Sequence, residues 1–493
     1  MCGILAVKGA GIPLSTHLQA LSHLERRGPD FTKYRYEHGI FIAQTVLHIT
    51  GSDSCYHNPT DQNFVSFNGE IYNYQRLGDF ACDTELVVQA ATQDHSLFSQ
   101  FEGPWAWAKT DFHNLSYAAD PQGERCLYHY RDNDILIVAS EVTAILEYIR
   151  PRLQTIPYLN KGWTMIDKTP WAGITRVTPG VMYQDGYPVK SLDSIWSWIH
   201  PDRTTRHEAQ EEFQRIWTQV CTDIAPNEPA SISFSGGIDS GLILASIPDL
   251  EPVTIDCVGK DPVVLQTEEF LNNYQLAHQR KISIDTKTWA AEYQALIRQT
   301  RMPAQSWSHV GKWLVARESR RRIVFTGLAA DELFGGYDQY LTMLYSQNTS
   351  TSQYSHNDHD HLWHRCLDAY LGDARSATLL MDYWYQVVGV DAPGHDRLGG
   401  AWGKETRNPF MHQRVMKFAL NLPFSLRVNA VTKPLVRNEF LRHWPERLIK
   451  PKTGFAGHAN DSLPWLSVSI DATGDRQADW KQIAQRTFYD YVT

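Results

Sequence analysis

The sequence lacks the features that mark exported, membrane-spanning or nucleic-acid-binding chains. No apolar run approaches the roughly 18 residues of a membrane span, and the start, MCGILAVKG, has neither the length nor the cationic beginning of a signal peptide. Lys and Arg number 46 against 55 Asp and Glu, and the resulting net charge of −9 offers no basic surface for nucleic acid. We therefore expect a soluble cytoplasmic protein that binds neither nucleic acid nor membrane.

Two further motifs are missing. The seven cysteines form no C-x-x-C pair, and their odd number argues against a disulfide framework. A phosphate loop of the G-x-x-x-x-G-K-[ST] kind is also absent, so we do not expect transfer of a γ-phosphate. What is present is a chain of 493 residues with 42% hydrophobic content, enough for two to four domains with buried cores.

The two parts of the chain differ in hydrophobic pattern. Up to about residue 190, short alternating runs such as FIAQTVLHI predict a β-rich part, interrupted by one helix at residues 83–93 with Asp83 as its N-cap. The polar stretch at 194–208 is the predicted linker. Beyond it, near-continuous apolar strands alternate with helices, which predicts a parallel sheet covered on both faces, and helical runs dominate after about residue 360.

Cys2 is the first candidate for chemistry. Once Met1 is removed, the residue carries both a thiol and a free α-amine, whose pKa is about 8. Nucleophile and base then belong to one residue, because the amine can accept the proton of the thiol. The alternative is a buried cysteine that acts only as a small hydrophobic side chain.

Four short motifs accompany Cys2: RRGPD at 26–30, NGEIYN at 68–73, CDTE at 82–85 and ASE at 139–141. With them, residues 1–190 resemble the class II glutamine amidotransferase domain, an N-terminal-nucleophile hydrolase with an αββα sandwich. The resemblance implies that Cys2 attacks the side-chain amide of glutamine and releases ammonia. It also implies an oxyanion hole from Asn68 and Gly69, and contacts to glutamine from Glu70 and Asp83, the latter holding the α-amine. By itself, the Asn-Gly pair equally predicts a hairpin turn.

The sequence departs from that family at one position. Where the family usually has H-x-R-L-x-I, with the arginine binding the carboxylate of glutamine, this chain has QTVLHI and places Val46 at the arginine. An aliphatic side chain cannot form the bidentate pair. Three outcomes stay open: another cation such as Arg26 or Arg27 substitutes, glutamine binds weakly, or free ammonia is the working nitrogen source.

A second motif, SFSGGIDS at 233–240, follows an apolar strand and precedes a helix. Paired glycines, serine hydroxyls and a helix N-terminus together predict an anion site, although a capped strand-to-helix turn is the simpler alternative. The motif resembles the pyrophosphate loop of ATP pyrophosphatases, which adenylate a carboxylate. The resemblance implies a Mg²⁺ ligand in Asp239 and a pyrophosphate cradle from Ser233, Ser235, Gly236, Gly237 and Ser240.

Three later motifs resemble the asparagine synthetase branch of that group: FTGLAADELFGGY at 325–337, AWGKETRNPF at 401–410 and KPKTGF at 450–455. Ala329 stands where the first of them usually has its second glycine. The resemblance assigns nucleotide contact to Gly327, the second Mg²⁺ carboxylate to Asp331, proton acceptance from ammonia to Glu405, and charge neutralisation at the α-phosphate to Lys452.

We therefore expect an α/β multi-domain protein. Residues 1–193 are the predicted glutaminase sandwich, and residues 208–493 the predicted ATP-pyrophosphatase domain, an adenine-nucleotide α-hydrolase-like parallel sheet with a helical C-terminal portion. The expected ligands are glutamine, ATP, Mg²⁺ and a carboxylate such as aspartate, which would be amidated through an acyl-adenylate. The sequence is compatible with a homodimer but carries no signal for it.

Three alternatives remain at this point. A related enzyme could amidate a different carboxylate, from a specialised metabolite or a sugar. A β-lactam-synthetase-like cyclase would use the amine of its own substrate, but such relatives lack the N-terminal cysteine. A degenerate glutaminase, ammonia-dependent or only regulatory, is the alternative that Val46 favours.

Overall fold

The computed structural model describes residues 1–49, 63–154, 166–201, 204–257, 279–304, 308–345 and 360–449, together with residues 270, 306, 487, 488 and 492. The strands in these residues are β1 (Gly3–Gly9), β2 (Phe31–Glu37), β3 (Ile40–Val46), β4 (Phe64–Gly69), β5 (Trp105–Thr110), β6 (Leu115–Ala119), β7 (Tyr128–Arg131), β8 (Ile135–Ala139), β9 (Ile174–Arg176), β10 (Val181–Gln184), β11 (Tyr187–Ser191), β12 (Ala230–Ser233), β13 (Leu250–Cys257), β14 (Arg280–Ile284), β15 (Ile323–Phe325) and β16 (Glu405–Arg407).

The first eleven strands form two antiparallel sheets, in the orders β2-β3-β1-β8-β7-β9 and β11-β10-β6-β5-β4. Their inner faces pack together through small and branched side chains such as Ile4 of β1 and Ala106 of β5. The helix Leu14–Ser22 covers the outer face of the first sheet, and the helix Asp83–Thr92 covers that of the second. This is the predicted αββα sandwich, since alternation of apolar residues along each strand provides an inner face.

The remaining strands form one parallel sheet in the order β14-β13-β12-β15-β16. Its apolar strands are covered by flanking helices, whose side chains contribute to two large buried clusters. The phosphate-loop motif follows β12, at the centre of the sheet, and the second nucleotide motif follows β15, its neighbour. Parallel strands bring their carboxyl ends to one edge, so the two motifs meet there.

Helices fill the chain between and after these strands, and the predicted helical C-terminal portion is confirmed over its described part. Besides the two helices already given, the α-helices are Tyr74–Leu77, Val142–Ile145, Arg206–Asp223, Ile238–Ser246, Thr286–Thr300, Ser308–Glu318, Ala330–Phe334, Asp338–Tyr345, Asp360–Ala369, Ala374–Asp382, Ala392–Gly400, Gln413–Asn421, Phe424–Arg427 and Pro434–Leu441. A π-helical segment, Tyr383–Asp391, joins two of them, and 3₁₀ turns occur at His95–Gln100, Ile195–Trp198, Pro409–Met411 and Glu446–Leu448. No helix in the described residues is long and apolar enough to span a membrane.

Two local predictions need correction. The N-cap of the helix Asp83–Thr92 is Cys82, and Asp83 lies in the first turn, where an acidic side chain favours the helix dipole. The predicted linker is also better ordered than its polar composition indicates, because Ile195 and Trp198 are buried in the core of the second part. Aromatic side chains can anchor a polar stretch by packing into a core. The average composition of the stretch does not predict such packing.

Candidate functional site

Cys2 lies just before β1, in a small buried cluster with Val46, Cys82 and the partly buried Phe31. Its Sγ lies 3.9 Å from the carbonyl oxygen of Leu47. Burial raises the pKa of the Cys2 thiol, and the positive charge of the chain's first amine opposes that shift. Because the thiol is favoured over the thiolate, a nucleophilic Cys2 needs a base beside it, which an α-amine of its own would supply.

Asn68 and Gly69 end β4, and their geometry differs from a hairpin turn because β4 pairs with β5, which begins only at Trp105. Asn68 is fully buried, and neither its Oδ1 nor its Nδ2 has a hydrogen-bond partner in the described part of the structure. A buried amide left unpaired is costly, so this side chain is poised for a ligand. Gly69 has φ +149°, and a Cβ there would lie 2.1 Å from the carbonyl oxygen of Pro104.

Asp83 is buried at the start of its helix, where its Oδ2 accepts a hydrogen bond of 3.1 Å from the backbone N–H of Ile71. Burial raises the pKa of Asp83 to about 7, despite that hydrogen bond. A buried carboxylate of this kind gains from an ammonium ligand, because the ligand replaces the lost hydration of the charge. The Asp83 carboxylate would therefore be stabilised by an α-amine bound next to it.

Glu70 is not free to contact glutamine through its side chain. Its carboxylate forms a buried bidentate ion pair with Arg407, at 2.6 and 2.8 Å, which joins the sandwich to β16 of the parallel sheet. The contact of Glu70 with glutamine stays a prediction, and this ion pair limits the part that the carboxylate can take in it. Bidentate pairing with Arg is strong and directional, so the motif NGEIYN contributes to the interface between the two parts.

Arg26 and Arg27 were the candidates to replace the arginine lost at Val46. Arg27 is buried and pairs with Glu141 at 2.6 Å and with Asp396 at 2.9 Å, so its charge is already compensated. Arg26 is exposed, on the loop before β2. Arg27 lies next to Cys2, because its Nε donates to the carbonyl oxygen of Cys2 at 2.9 Å, but its two carboxylate partners would compete with a bound carboxylate.

The phosphate-loop motif forms a tight turn between β12 and the helix Ile238–Ser246. Gly236 has φ +70°, and Gly237 is the N-cap of the helix. The hydroxyls of Ser235 and Ser240 lie 3.2 Å apart, and the backbone N–H of Gly237 donates to Ser235 Oγ at 3.3 Å. Backbone and hydroxyl donors thus surround the start of a helix, which is the arrangement that binds phosphate oxygens.

Asp239 and Asp331 converge on one ammonium group. Lys433 Nζ donates to both oxygens of Asp239 at 2.7 Å and to Asp331 Oδ1 at 2.9 Å. The side chains of Asp239 and Asp331 are 21% and 23% exposed, whereas that of Lys433 is only 6% exposed. Burial lowers the pKa of Lys433, but the two carboxylates outweigh it and raise the pKa well above its usual value. No sequence motif predicts a role for Lys433, which lies far from both motifs along the chain.

Both motifs line one cavity of about 330 Å³ at the carboxyl edge of the parallel sheet. Of the predicted residues, the cavity is lined by Ser233, Ser235, Asp239, Ser240, Gly327 and Asp331. Gly327 is where the second motif approaches the first, since a Cβ there would lie 3.0 Å from the Cβ of Asp239. Lys312 and His395 also line the cavity and were missed from the sequence, because no motif surrounds them.

Ala329 occupies the glycine position of the second motif in a left-handed conformation, with φ +72°. For a residue with a Cβ this conformation costs about 1 to 2 kcal/mol, which explains why glycine is usual there. The turn nevertheless forms, and it directs Asp331 into the cavity. The substitution therefore costs stability without removing a ligand.

Glu405 does not line the cavity, although its neighbours Lys404 and Thr406 do. Its carboxylate lies instead in the interface, where Oε1 forms an ion pair with Arg125 and Oε2 holds the amine of Met1 at 2.9 Å. Burial would raise the pKa of Glu405, but these two positive charges hold it well below its usual range. Glu405 thus lies between the start of the chain and the nucleotide cavity.

We expect the variant E405Q to lower the free energy of unfolding by about 3 kcal/mol, because buried Arg125 loses its nearer carboxylate and keeps only Glu124, at 3.9 Å. A depressed pKa in the folded state adds stability above the unfolded pKa of about 4.3, and that stability is lost as pH falls below it. Urea unfolding from pH 7 to pH 3 should therefore show a shallower acid limb for E405Q. The exposed E25Q is the matched control. If the unfolding free energy of E405Q fell with decreasing pH as steeply as that of the wild type, Glu405 would not be the carboxylate whose pKa is lowered in this cluster.

Lys452 lies outside the described residues, so its predicted role stays a prediction.

Comparison with known proteins finds two family models that match different parts of the chain. Residues 1–190 match the family model of the glutamine amidotransferase domain, and residues 223–471 match that of asparagine synthase. A probable glutamine-hydrolysing asparagine synthetase of Acanthamoeba polyphaga mimivirus is 23% identical over 100% of this chain and 89% of its own length. The glutamine-hydrolysing asparagine synthetase of Gallus gallus is 22% identical over 97% and 88%. The amidase chyE of Penicillium rubens is 22% identical over 59% of this chain and 50% of its own.

Proposed function

Since this chain belongs to the asparagine synthase family, and is accordingly an ATP-dependent, glutamine-hydrolysing amidotransferase, we propose that it converts aspartate to asparagine through an acyl-adenylate. The observation that carries the proposal is the convergence of Asp239 and Asp331 at a cavity that the phosphate loop also lines. Residues 1–193 and 208–493 would be the two catalytic domains.

In the first domain, removal of Met1 would give Cys2 its own α-amine as base. The thiol would then attack the side-chain carbonyl of glutamine and form a thioester as ammonia leaves. The unpaired amide of Asn68 and the backbone N–H of Gly69 would stabilise the oxyanion, because both are neutral donors held in a buried place. Water would then hydrolyse the thioester to glutamate.

Asp83 gives this step a pH dependence. Its pKa of about 7 means that the carboxylate is mostly protonated at pH 6, whereas the α-amine of glutamine needs the ionised form. The KM for glutamine should therefore rise about tenfold from pH 8 to pH 6, following the ionised fraction. The variant D83N should have a high KM with a flat profile over this range. A flat wild-type profile would contradict the assignment of the amine to Asp83.

In the second domain, the residues present fit Mg²⁺. Asp239 and Asp331 offer partly exposed carboxylates of the kind that this ion prefers. The described residues contain no cluster of three or more His, Cys, Asp or Glu side chains that could hold a metal, so Asp239 and Asp331 are the residues that would hold the ion. When bound, the ion would neutralise charge on the leaving pyrophosphate. The loop from Ser235 to Ser240 would bind and orient that same group.

Glu405 would act between the site of glutamine hydrolysis at Cys2 and the nucleotide cavity where the carboxylate is amidated. Loss of Met1 removes the ammonium partner of Oε2, and this frees one carboxylate oxygen between Cys2 and the strand that borders the nucleotide cavity. The same loss removes one of the two positive charges that lower the pKa of Glu405, and the carboxylate could then accept a proton as ammonia attacks the acyl-adenylate. The surrounding ion pairs, such as Glu70 with Arg407, would keep bulk water out of that passage.

The proposal is tested by measuring release of pyrophosphate from ATP over a panel of carboxylic acids, with glutamine or ammonium as the nitrogen donor. We expect aspartate to give the fastest release, with asparagine and AMP as products. Faster release with another acid would favour the alternative of a different acceptor. Release that needs no nitrogen donor, with a cyclised product, would favour the cyclase.

A further inference from the structure

Glutamine needs a positive partner for its α-carboxylate, and the usual position for it holds Val46. Val46 is fully buried and packs against Cys2, Cys82 and Phe31. The valine therefore forms part of the wall around the nucleophile. A positively charged side chain at a neighbouring position must therefore pair with the α-carboxylate of glutamine, since burying a carboxylate without a partner costs several kcal/mol of binding free energy.

Lys33 is the side chain that the strand register brings towards this wall. On β2 it lies opposite Gln44 of β3, which in turn lies opposite Ile4 of β1. Residues opposite one another across strands project from the same face. Ile4 packs in the core between the two sheets, so this row of side chains faces the inside of the sandwich.

Contacts agree with that register. Phe31, two residues before Lys33 and therefore on the same face, packs against the cluster of Cys2. Gln44 donates to the backbone oxygen of Phe67 on β4, at 2.7 Å. Lys33 Nζ lies 5.5 Å from the ring centroid of Phe64, also on β4. The ammonium thus lies between the two sheets, near their edge.

Burial and the two thiols act on the charge of Lys33 in opposite directions. Burial lowers the pKa of Lys33 to about 8, and negative charge on Cys2 or Cys82 would act in the opposite direction. The register agrees with this influence, because Phe31, on the same face of β2, packs against the cluster that contains both thiols. A desolvated ammonium beside the nucleophile is stabilised when a carboxylate binds to it.

We propose that Lys33 binds the α-carboxylate of glutamine, in place of the arginine that Val46 has replaced. The proposal rests on the proposed glutaminase function of the first domain, and it names a substrate-binding residue for it. Asp83 would hold the α-amine and Lys33 the carboxylate, so the side-chain amide would be directed to Cys2. Lysine is a point charge without the fork of arginine, which predicts moderate affinity rather than loss of glutamine use.

Binding is the first test, because it does not depend on turnover. Calorimetry with the Cys2→Ala protein should detect glutamine, and the double variant Cys2→Ala/Lys33→Met should bind it about ten- to hundredfold more weakly, as expected for loss of one charge-assisted contact. Lys190→Met, an exposed lysine on β11, is the matched control and should have no effect. Equal affinity with and without Lys33, or no binding to the Cys2→Ala protein, would overturn the proposal.

Turnover separates this proposal from the proposed function. Lys33→Met should raise the KM for glutamine by the same factor while ammonium-driven synthesis is unchanged. The analogue 4-aminobutanamide, which lacks the carboxylate, should be used equally by wild type and variant. Adding Val46→Arg to Lys33→Met should lower the KM again. If glutamine binds through Lys33 but is never hydrolysed, the glutaminase function fails while the binding role stands.

Discussion

Replacing Cys2 by alanine should reduce glutamine-driven amide formation by at least about a thousandfold, because enzymes that act through a covalent intermediate lose this much or more without their nucleophile. Ammonium-driven synthesis should be largely unchanged, since the cavity proposed for adenylation lies in the other domain. Both rates are measured as asparagine formed at saturating ATP and aspartate. The separation of the two effects is the specific outcome, because a misfolded variant would lose both.

The matched control is Cys126→Ala, which removes another buried thiol of the same domain. It should keep glutamine-driven synthesis. Mass spectrometry of the wild type belongs to this experiment, since retained Met1 would leave the α-amine of Cys2 in a peptide bond. An unchanged glutamine-driven rate in Cys2→Ala would remove Cys2 from the mechanism.

Asp239→Asn and Asp331→Asn should each reduce pyrophosphate release about a hundred- to thousandfold, with glutamine and with ammonium alike. Each change removes one of the two carboxylates at the place where negative charge accumulates on the leaving group. Loss with both nitrogen sources distinguishes these variants from Cys2→Ala. Hydrolysis of glutamine without ATP should persist in both variants, because the thioester chemistry does not use this cavity.

Asp338→Asn is the control for that pair, since Asp338 follows the same motif but is exposed at the start of the next helix. Its pyrophosphate release should equal that of the wild type. Normal adenylation in Asp239→Asn or Asp331→Asn would show that the carboxylates only neutralise Lys433, and the proposed metal site would then be wrong.

The parts of the site that could be predicted are those contained in one short segment. The phosphate loop reads as an apolar strand, two glycines and a helix start, and each of these is a local preference of the chain. The alternation of apolar residues likewise predicts a sandwich, because a strand with one apolar face must bury it. These elements form as expected.

What could not be predicted are the partners that tertiary packing supplies. Lys433 is separated by 194 residues from Asp239, and 337 residues separate Arg407 from Glu70. No local pattern marks Lys433, since a single Lys is typical of an exposed surface. Arg407 does lie in the motif at 401–410, but the motif does not identify Glu70 as its partner. A motif also predicts the role of a residue without predicting where its side chain points. The carboxylates of Glu70 and Glu405, which form ion pairs in the interface, are examples.

Lys433 also influences which ligand can bind at the proposed nucleotide site, because it contacts both carboxylates there. The ammonium offsets only one of the two carboxylate charges, but it contacts three of their four oxygens, so a divalent cation arriving alone would have to displace it. Free ATP would attract the lysine but add negative charge beside the carboxylates. Only a complex carrying both signs of charge gives every group a new partner. If the proposed site is correct, we therefore expect it to bind the metal-nucleotide complex more tightly than either component alone.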